Sequence, residues 1–185
     1  MASVLVPLAQ GCEELEAITI VDLLRRAGID VVTAGLDDQP VRASRGTVLI
    51  PDMILDQALA QEYDMVVLPG GLPGADHLDR DPRVIGLLRQ MAAAGKYTAA
   101  ICAAPKVLAH SGLLEGKRAT CYPGSMDPDS VPGMEYSEEP VVTDGKVITS
   151  RGPGTAMDFA LQLIETLAGE QMRAQVEAGL QRPAL

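Results

Sequence analysis

The sequence predicts a single α/β domain, residues 1–185, in which a mostly parallel sheet lies between two layers of helices. Segments that are apolar throughout alternate along the chain with amphipathic segments of helical period. Strands of a parallel sheet are buried on both faces, so continuous apolar runs are typical of them. The length of 185 residues is close to that of one domain, and 47% of the residues are apolar, which is enough for a sizeable core.

The first part of the chain predicts a strand-helix-strand unit. Ala17, Ile20, Val21 and Leu24 share one face of a helix, and Gly28 stands where that helix would end. The predicted elements are a strand over 3–9, a helix over 13–27 and a strand over 30–34.

The later elements continue this alternation. Residues 41–50 alternate weakly between apolar and polar, which fits either a hairpin or an interrupted strand. Pro82 suits the first position of a helix and Gly95 its end, whereas 123–133 is rich in Pro, Gly and Asp and predicts a loop. The other predicted elements are strands over 64–68, 98–101, 118–122 and 147–150, and helices over 82–94, 103–110, 155–168 and 170–180.

Charge and composition exclude several classes of protein. The 15 basic and 25 acidic side chains give a net charge of −10, which argues against stable nucleic-acid binding because that affinity comes from clustered Lys and Arg. Aromatic residues are also too scarce to offer an obvious platform for stacked bases. Three cysteines do not make a disulfide scaffold, which predicts a reducing, cytoplasmic environment. No apolar stretch approaches the roughly 18 residues of a membrane span, so no membrane association is expected.

Residues suited to chemistry follow three of the predicted strands, and parallel strands place their carboxyl ends on one rim. Cys102 stands at the joint between an apolar strand and a helix and is followed by small residues. A helix N-terminus stabilises negative charge, so this position predicts a nucleophilic thiol with a lowered pKa. The alternative is that Cys102 is a small buried apolar residue without a chemical role.

Gly70 and Gly71 follow another of these strands and have two interpretations. They allow the backbone to approach a ligand and direct N–H groups at an oxyanion, or they form a turn that needs a positive φ. The segment lacks the Lys-Ser/Thr pair of a phosphate-binding loop, which excludes a nucleotide site of that type.

Three glutamates cluster at the start of the first predicted helix. Glu13 and Glu14 are expected in solvent, where the helix dipole favours them. Glu16 adjoins the apolar stripe of the helix, so its side chain can lie inward over the sheet. A buried carboxyl near a thiolate has its pKa raised by desolvation and by like charge, so we expect Glu16 to be protonated at neutral pH and able to move a proton.

The histidines and the cysteine spacing argue against two other kinds of site. His110 lies about 12 Å beyond Cys102 along the predicted helix, too far to act as the base for that thiol, and His77 is expected at the surface in a loop. Cys12, Cys102 and Cys121 show no paired ligand spacing, so no metal site is predicted and Cys12 and Cys121 have no assigned role.

Five segments occur in an order and spacing that are highly specific. Their sequences are EELEA (13–17), VDLLRRAGI (21–29), VVLPGG (66–71), AAICAAP (99–105) and TSRGPGT (149–155). Together they closely resemble the ThiJ/PfpI superfamily and, within it, the Parkinson-disease-protein deglycase subfamily and its bacterial chaperone-like relatives. The resemblance covers nearly the whole chain.

This resemblance implies a flavodoxin-like three-layer sandwich, similar to that of class I glutamine amidotransferases, which forms a homodimer. It implies that Cys102 is the oxidation-prone nucleophile and that Glu16 is the protonated carboxyl beside it. Gly70, Gly71 and Ala103 are then expected to form an anion pocket with their backbone, Gly71 and Ala103 supplying the N–H groups. No cofactor is implied.

Two functions are compatible with the resemblance. The first is a cofactor-independent glyoxalase of hydro-lyase type, or a deglycase that hydrolyses adducts, with small reactive carbonyls or glycated proteins and nucleotides as substrates and stress protection as the result. The alternative is a redox sensor or chaperone in which Cys102 is oxidised to a sulfinate. A flavin-binding module is a more distant third, because a fold alone does not establish a flavin site.

The sequence departs from the family pattern at two positions. Ala103 stands where the protease members have a histidine, so no peptidase activity is expected. Tyr122 stands where human-type members have a histidine; a phenol is a poor base near neutral pH, although it can donate a hydrogen bond. By similarity, four further residues are expected at or near the dimer interface beside the pocket: Asp22, Arg26, Arg45 and Ser150.

Overall fold

A seven-stranded sheet forms the centre of the molecule, which a computed structural model describes over residues 1–182. The strands of the chain are β1 (Ser3–Leu8), β2 (Asp30–Gly35), β3 (Val41–Arg42), β4 (Val48–Leu49), β5 (Met53–Ile54), β6 (Met65–Leu68), β7 (Tyr97–Ile101), β8 (Arg118–Ala119), β9 (Glu135–Tyr136), β10 (Val141–Asp144) and β11 (Val147–Ser150). The central sheet has the order β10-β11-β7-β6-β1-β2-β5, and only its β10–β11 pair is antiparallel. The five strands β11-β7-β6-β1-β2 reproduce the flavodoxin-like order, so the predicted fold is confirmed.

Helices cover both faces of this sheet. They are α1 (Glu14–Arg26), α2 (Leu55–Ala58), α3 (Gly74–Arg80), α4 (Pro82–Ala93), α5 (Pro105–His110), α6 (Ala156–Ala168) and α7 (Glu170–Gly179). Buried side chains of α1, α6 and α7 join one apolar cluster, and those of α2, α4 and α5 join the other; α3 contributes Ala75 to the first cluster and Leu78 to the second. Among residues 1–182 no helix combines the length and the apolar character that crossing a membrane requires.

Alternate residues of the central strands supply the two clusters. Val4 and Val6 of β1 point to the α1 side, whereas Leu5 between them points to the α4 side. The same division separates Val67 from Leu68 in β6. Because each strand is covered on both faces, its sequence is apolar throughout, and this is the pattern that predicted it.

The shorter elements differ in part from prediction. Residues 41–50 form a hairpin, in which β3 pairs antiparallel with β4. The strand predicted over 118–122 is wrong beyond Ala119, where β8 ends after pairing with β9. The helix predicted from residue 103 begins two residues later, at Pro105. The predicted loop over 123–133 contains one short 3₁₀ turn, Pro128–Ser130.

Some elements are missing from the prediction altogether, namely α2, α3, β5, β9 and β10. His77 was expected in a loop, but it lies in α3, where its side chain is exposed as expected. Only Gly74, Ala75 and Leu78 of that seven-residue helix are buried, so its sequence lacks a long apolar stripe. The β10–β11 hairpin has a recognisable signal in Gly145, which begins its two-residue turn with a φ of 61°.

Strand order determines where the chemical groups meet. In the sheet, β1 lies between β2 and β6. The connection after β1 leads to β2 on one side, whereas the connection after β6 leads to β7 on the other side. Ligands bind beyond the carboxyl ends of the strands at the point where connections diverge in this way. The chain after β1 enters α1 with Glu16, the chain after β6 passes through Gly70, and β7 ends immediately before Cys102.

Candidate active site

Cys102 occupies a strained turn immediately after β7. Its φ is 63°, a left-handed conformation that is uncommon for a residue with a side chain. Two backbone hydrogen bonds hold it there: the N–H of Cys102 donates to the carbonyl of Ser150 (2.9 Å), and the N–H of Tyr122 donates to the carbonyl of Cys102 (2.8 Å). A sharp strand-to-helix turn of this kind is typical of catalytic nucleophiles. The alternative interpretation, in which Cys102 is only a small buried apolar residue, gives no reason for this strained conformation.

Glu16 reaches the same point from the first turn of α1. Its side chain is fully buried, and Oε2 accepts a hydrogen bond from the N–H of Gly70 at 2.8 Å. The other oxygen, Oε1, is buried and has no hydrogen-bonding partner among residues 1–182. A buried carboxyl group with a hydrogen bond to only one of its oxygens destabilises the folded state, and its retention points to a chemical role.

Gly70 lies between the carboxyl and the cysteine. A Cβ atom at this position would come within 2.7 Å of the Cβ of Cys102 and 2.8 Å of Oε2 of Glu16. Any side chain here would therefore push the two groups apart. The close backbone approach is the reason for glycine at position 70.

Both interpretations of the Gly70-Gly71 pair, a turn with positive φ and an N–H group directed at the reacting atom, apply to Gly71. Its φ is 88°, and a Cβ atom would come within 2.3 Å of the backbone nitrogen of Glu13, so the turn requires glycine. The backbone N–H groups of Gly71 and Ala103 also lie close enough to the Cys102 thiol to lower its pKa. The structure therefore brings together Glu16, Gly70, Gly71, Cys102 and Ala103.

The expectation of a lowered thiol pKa is wrong. Burial, followed by the charge of Glu16, raises the pKa of Cys102 to about 12, although the N–H groups of Gly71 and Ala103 act in the opposite direction. The helix after the thiol is short and begins only at Pro105, so it offsets little of this desolvation.

The carboxyl shifts in the direction that the sequence predicts. Burial raises the pKa of Glu16 to about 7, while the Gly70 N–H and the Cys102 thiol act to lower it. Glu16 therefore gains and loses its proton close to neutral pH. Because each group shifts the other, the carboxyl and the thiol titrate as a coupled pair.

Glu13 and Glu14 have structural roles that the sequence prediction missed. Glu13 caps α1, since its side chain accepts the N–H of Glu16 at 2.9 Å. Glu14 accepts the N–H groups of Arg45 (3.0 Å) and Thr47 (3.3 Å) and so ties the β3–β4 hairpin to α1. Despite an opposing effect of burial, these hydrogen bonds lower the pKa of Glu14 to about 2. The three-residue spacing of Glu13 and Glu16 is the signal for the cap.

The four residues expected near an interface occupy different surroundings. Asp22 and Arg26 form an exposed ion pair (2.7 Å) on α1, about 9 Å and 15 Å along the helix axis from Glu16. Arg45 is exposed in the hairpin. Ser150 is buried; its hydroxyl donates to the carbonyl of Pro140 at 2.8 Å, and its own carbonyl holds the Cys102 turn. Within one chain, only Ser150 contacts the turn directly.

A cleft adjoins the Cys102 turn on the side of Tyr122. It is lined by Tyr122, Pro123, Arg151, Gly152, Pro153, Gly154 and Thr155. The side chain of Tyr122 is about half exposed, at 50%. The cleft therefore begins at Tyr122, which is hydrogen-bonded to the backbone of Cys102.

Other candidate groups lie apart from this site. His110 is exposed at the end of α5, with Nδ1 3.1 Å from Asp79. All three cysteines are free and buried. In the part of the chain that the structure describes, no group of three or more His, Cys, Asp or Glu side chains is arranged to hold a metal ion.

Sequence comparison finds similar proteins along almost the whole chain. The chain is 48% identical over 180 residues to Protein dj-1beta of Drosophila melanogaster, covering 96% of each sequence. It is 37% identical over 170 residues to a Caenorhabditis elegans protein named glutathione-independent glyoxalase DJR-1.2, covering 92% of this chain and 90% of the relative.

Solved structures agree with this relationship. The crystal structure of Drosophila melanogaster DJ-1beta matches with a TM-score of 0.93 at 46% identity, covering 99% of both chains. A structure described as oxidized Toxoplasma gondii DJ-1 matches with a TM-score of 0.92 at 38% identity, covering 100% of both. The model of the DJ-1/PfpI family matches residues 2–166, and the chain belongs to that family.

Proposed function

We propose that the protein is a cysteine-dependent, cofactor-independent glyoxalase that converts methylglyoxal or glyoxal to the corresponding α-hydroxy acid. The observation that carries this proposal is the buried pair of Glu16 and Cys102, which only Gly70 separates. The pair provides a nucleophile and a group that exchanges protons near neutral pH. The glyoxalase name of the Caenorhabditis elegans relative supports the same substrate class.

The first step forms a bond between the sulfur and the substrate. The thiol has a high pKa, so it needs a base at the moment of attack. Glu16, whose pKa lies near neutral pH, takes the thiol proton in its ionised form as the sulfur adds to the aldehyde carbon. The product is a hemithioacetal. The N–H groups of Gly71 and Ala103 stabilise the thiolate that forms during this transfer.

The second step is an internal redox rearrangement. The proton on the former aldehyde carbon moves, through an enediol, to the neighbouring ketone carbon, which becomes an alcohol while the first carbon becomes a thioester. No outside oxidant or reductant is consumed. Glu16 is the group positioned to move this proton, because it lies beside Cys102 and, within the described part of the chain, its second oxygen makes no hydrogen bond. Water then cleaves the thioester, which releases lactate and restores the thiol.

The same steps extend to adducts of glyoxals with amines. Hydrolysis of such an adduct consumes one water and yields the free amine and an α-hydroxy acid. We therefore include deglycation of protein or nucleotide groups, and the stress protection that would result, in the proposed function. We also propose a cytoplasmic location, in keeping with three free thiols.

We further propose that the protein is a homodimer. Leu15 and Ile18 lie on the outer face of α1, and Val48 lies in the hairpin that Glu14 ties to this helix. All three side chains are about half exposed, and adjoining exposed apolar residues are typical of an interaction surface. The same helix carries the exposed Asp22–Arg26 pair.

Oxidation of Cys102 to a sulfinate is a second candidate function. Of the three thiols, Cys102 is the most accessible, at 7% exposure, against 0% for Cys12 and 1% for Cys121. Two equivalents of a hydroperoxide would add two oxygens to its sulfur. The Gly71 N–H and a protonated Glu16 are suited to bind those oxygens. The oxidized Toxoplasma gondii relative supports this reactivity.

Replacing Cys102 by Ser tests the nucleophile. We expect Cys102→Ser to lower lactate formation from methylglyoxal by at least roughly 100-fold, because the hydroxyl is a poorer nucleophile. Lactate is measured with a stereospecific dehydrogenase assay. Cys121→Ala serves as the matched control and should retain activity. Equal activity of the wild type and Cys102→Ser would exclude the mechanism.

Replacing Glu16 by Gln tests the coupled pair. The amide keeps a carbonyl oxygen for the Gly70 N–H but removes the negative charge, so we expect the pKa of Cys102 to fall. Lactate formation should nevertheless drop by about 100-fold or more, since the proton-transfer group is lost. The thiol pKa is measured from the pH dependence of alkylation, resolved by peptide mass spectrometry. A Glu62→Gln control, at an exposed site, should change neither; a raised thiol pKa in Glu16→Gln would contradict the assignment.

A charge on the outer face of α1 tests the dimer. We expect Ile18→Glu to shift the protein from dimer to monomer in sedimentation equilibrium, because the interface would have to bury a carboxylate. Leu59→Glu, at an exposed position after α2, should stay dimeric. A wild-type protein that sediments as a monomer would rule out the proposal.

Mild peroxide treatment tests the redox candidate. Intact-peptide mass spectrometry should find two added oxygens on Cys102 before either of the other cysteines is modified. The physical reason is its greater exposure and the N–H groups around its sulfur. Equal modification of Cys12, Cys102 and Cys121 would count against a sensor.

A further inference from the structure

Tyr122 is an exposed aromatic residue to which the mechanism above assigns no role. Its side chain is 50% exposed, although it lies beside the buried thiol. The printed sequence has only four Tyr, one Phe and no Trp. An exposed ring next to a nucleophile is suited to substrate contact.

Backbone hydrogen bonds place both walls of the neighbouring cleft against the Cys102 turn. The carbonyl of Cys102 accepts the N–H of Tyr122 at 2.8 Å, and its N–H donates to Ser150 at 2.9 Å. Gly152 follows Ser150 by two residues and lines the cleft together with Tyr122. Tyr122 is therefore hydrogen-bonded directly to the backbone of the nucleophile, and Gly152 is two residues from its other backbone partner.

Gly152 provides space for the aromatic ring. A Cβ atom there would lie 3.2 Å from Cδ2 and 3.8 Å from Cε2 of Tyr122. The φ of Gly152 is 172°, an extended conformation that any residue adopts, so the backbone itself does not call for glycine. The missing side chain lets the ring lie close to the backbone at 152, while half of the surface of Tyr122 is exposed.

The rest of the cleft is rigid, with one positive charge at its edge. Pro123 and Pro153 have restricted backbones, so they lose little entropy when a ligand binds. The guanidinium of Arg151 donates a hydrogen bond to the backbone carbonyl of Glu138 at 2.8 Å. The carboxylate of Glu138 lies 3.9 Å from this guanidinium, and the Glu138 side chain is 79% exposed. The guanidinium is thus positioned by a carbonyl and is only weakly neutralised.

We propose that Tyr122 and Gly152 form a stacking surface that selects adducts in which the glyoxal-derived carbon is bound through an amine nitrogen to a planar ring carrying an acidic group. The ring of the substrate stacks on Tyr122, its acidic group pairs with Arg151, and the carbonyl carbon reaches Cys102. This inference rests on the proposed glyoxalase and deglycase chemistry. The adduct and one water give the ring amine and an α-hydroxy acid, so the reaction balances without a further reagent.

Two adducts of methylglyoxal, similar in charge and size, test whether the protein selects substrates by the planarity of their ring. One is formed with para-aminobenzoate and the other with its saturated-ring counterpart, aminocyclohexanecarboxylate. We expect Tyr122→Ala to lower the ratio of kcat/KM for the planar over the saturated adduct by about fivefold, the size of one aromatic contact. Tyr122→Phe should keep the ratio. Tyr136→Ala, a change of the same type in β9, is the control that should leave it unchanged.

Spontaneous release of methylglyoxal is measured without protein and subtracted from each rate. An equal loss for both adducts in Tyr122→Ala would indicate a structural role and overturn the proposal. An unchanged ratio would overturn it as well.

Binding to an inactive protein separates this proposal from the proposed function. Benzoate and cyclohexanecarboxylate are titrated into Cys102→Ser protein and followed by NMR, with and without Tyr122→Ala. We expect tighter binding of benzoate, and loss of that preference when the ring is removed. Absence of the preference overturns the stacking surface even if the wild type forms lactate. A preference in a protein that never forms lactate supports the surface and overturns the glyoxalase.

Discussion

The close approach of Glu16 and Cys102 across Gly70 is the constraint on which the rest of the site depends. Three segments from distant parts of the chain must end within one small volume, and a single methyl group at position 70 would prevent it. The carboxyl is tied to the middle segment by the Gly70 N–H, and the cysteine is tied to the neighbouring β11 by the carbonyl of Ser150. Strand order in the sheet makes this convergence possible, because β1, β6 and β7 are adjacent and parallel.

The site carries costs that the remaining structure must offset. A non-glycine residue in the left-handed region costs about 1–3 kcal/mol, and Glu16 holds a buried oxygen without a partner. Burial raises the pKa of Glu16 from 4.5 to about 7, so the folded state favours the protonated acid. The contribution of this group to stability is therefore complete below about pH 4.5 and is lost as the pH rises through about 7. The two apolar clusters on either side of the sheet offset these costs.

Prediction from sequence succeeded where burial acts on both faces of an element. The central strands are apolar throughout, and α1 and α6 carry long apolar stripes, so pattern alone identifies them. It failed for short elements such as α3 and β9, in which few residues are buried and neighbouring segments decide the conformation. Glu14 illustrates the same limit: it belongs to a charged first turn, yet it holds the hairpin through N–H groups of residues 31 and 33 positions away.

The sequence by itself determined the fold class and the family resemblance, and it singled out Glu16, Gly70, Gly71 and Cys102 as candidate residues, because strand ends, glycine pairs and helix starts are local signals. Only the tertiary structure decided the electrostatics of those residues. The sign of the Cys102 pKa shift depends on how fully the thiol is desolvated and on the distance to Glu16, and neither is local. The space that Gly152 leaves for the ring of Tyr122 is likewise a tertiary feature. The two residues are 30 positions apart in the sequence, and they come together because both of their segments are hydrogen-bonded to the backbone of Cys102.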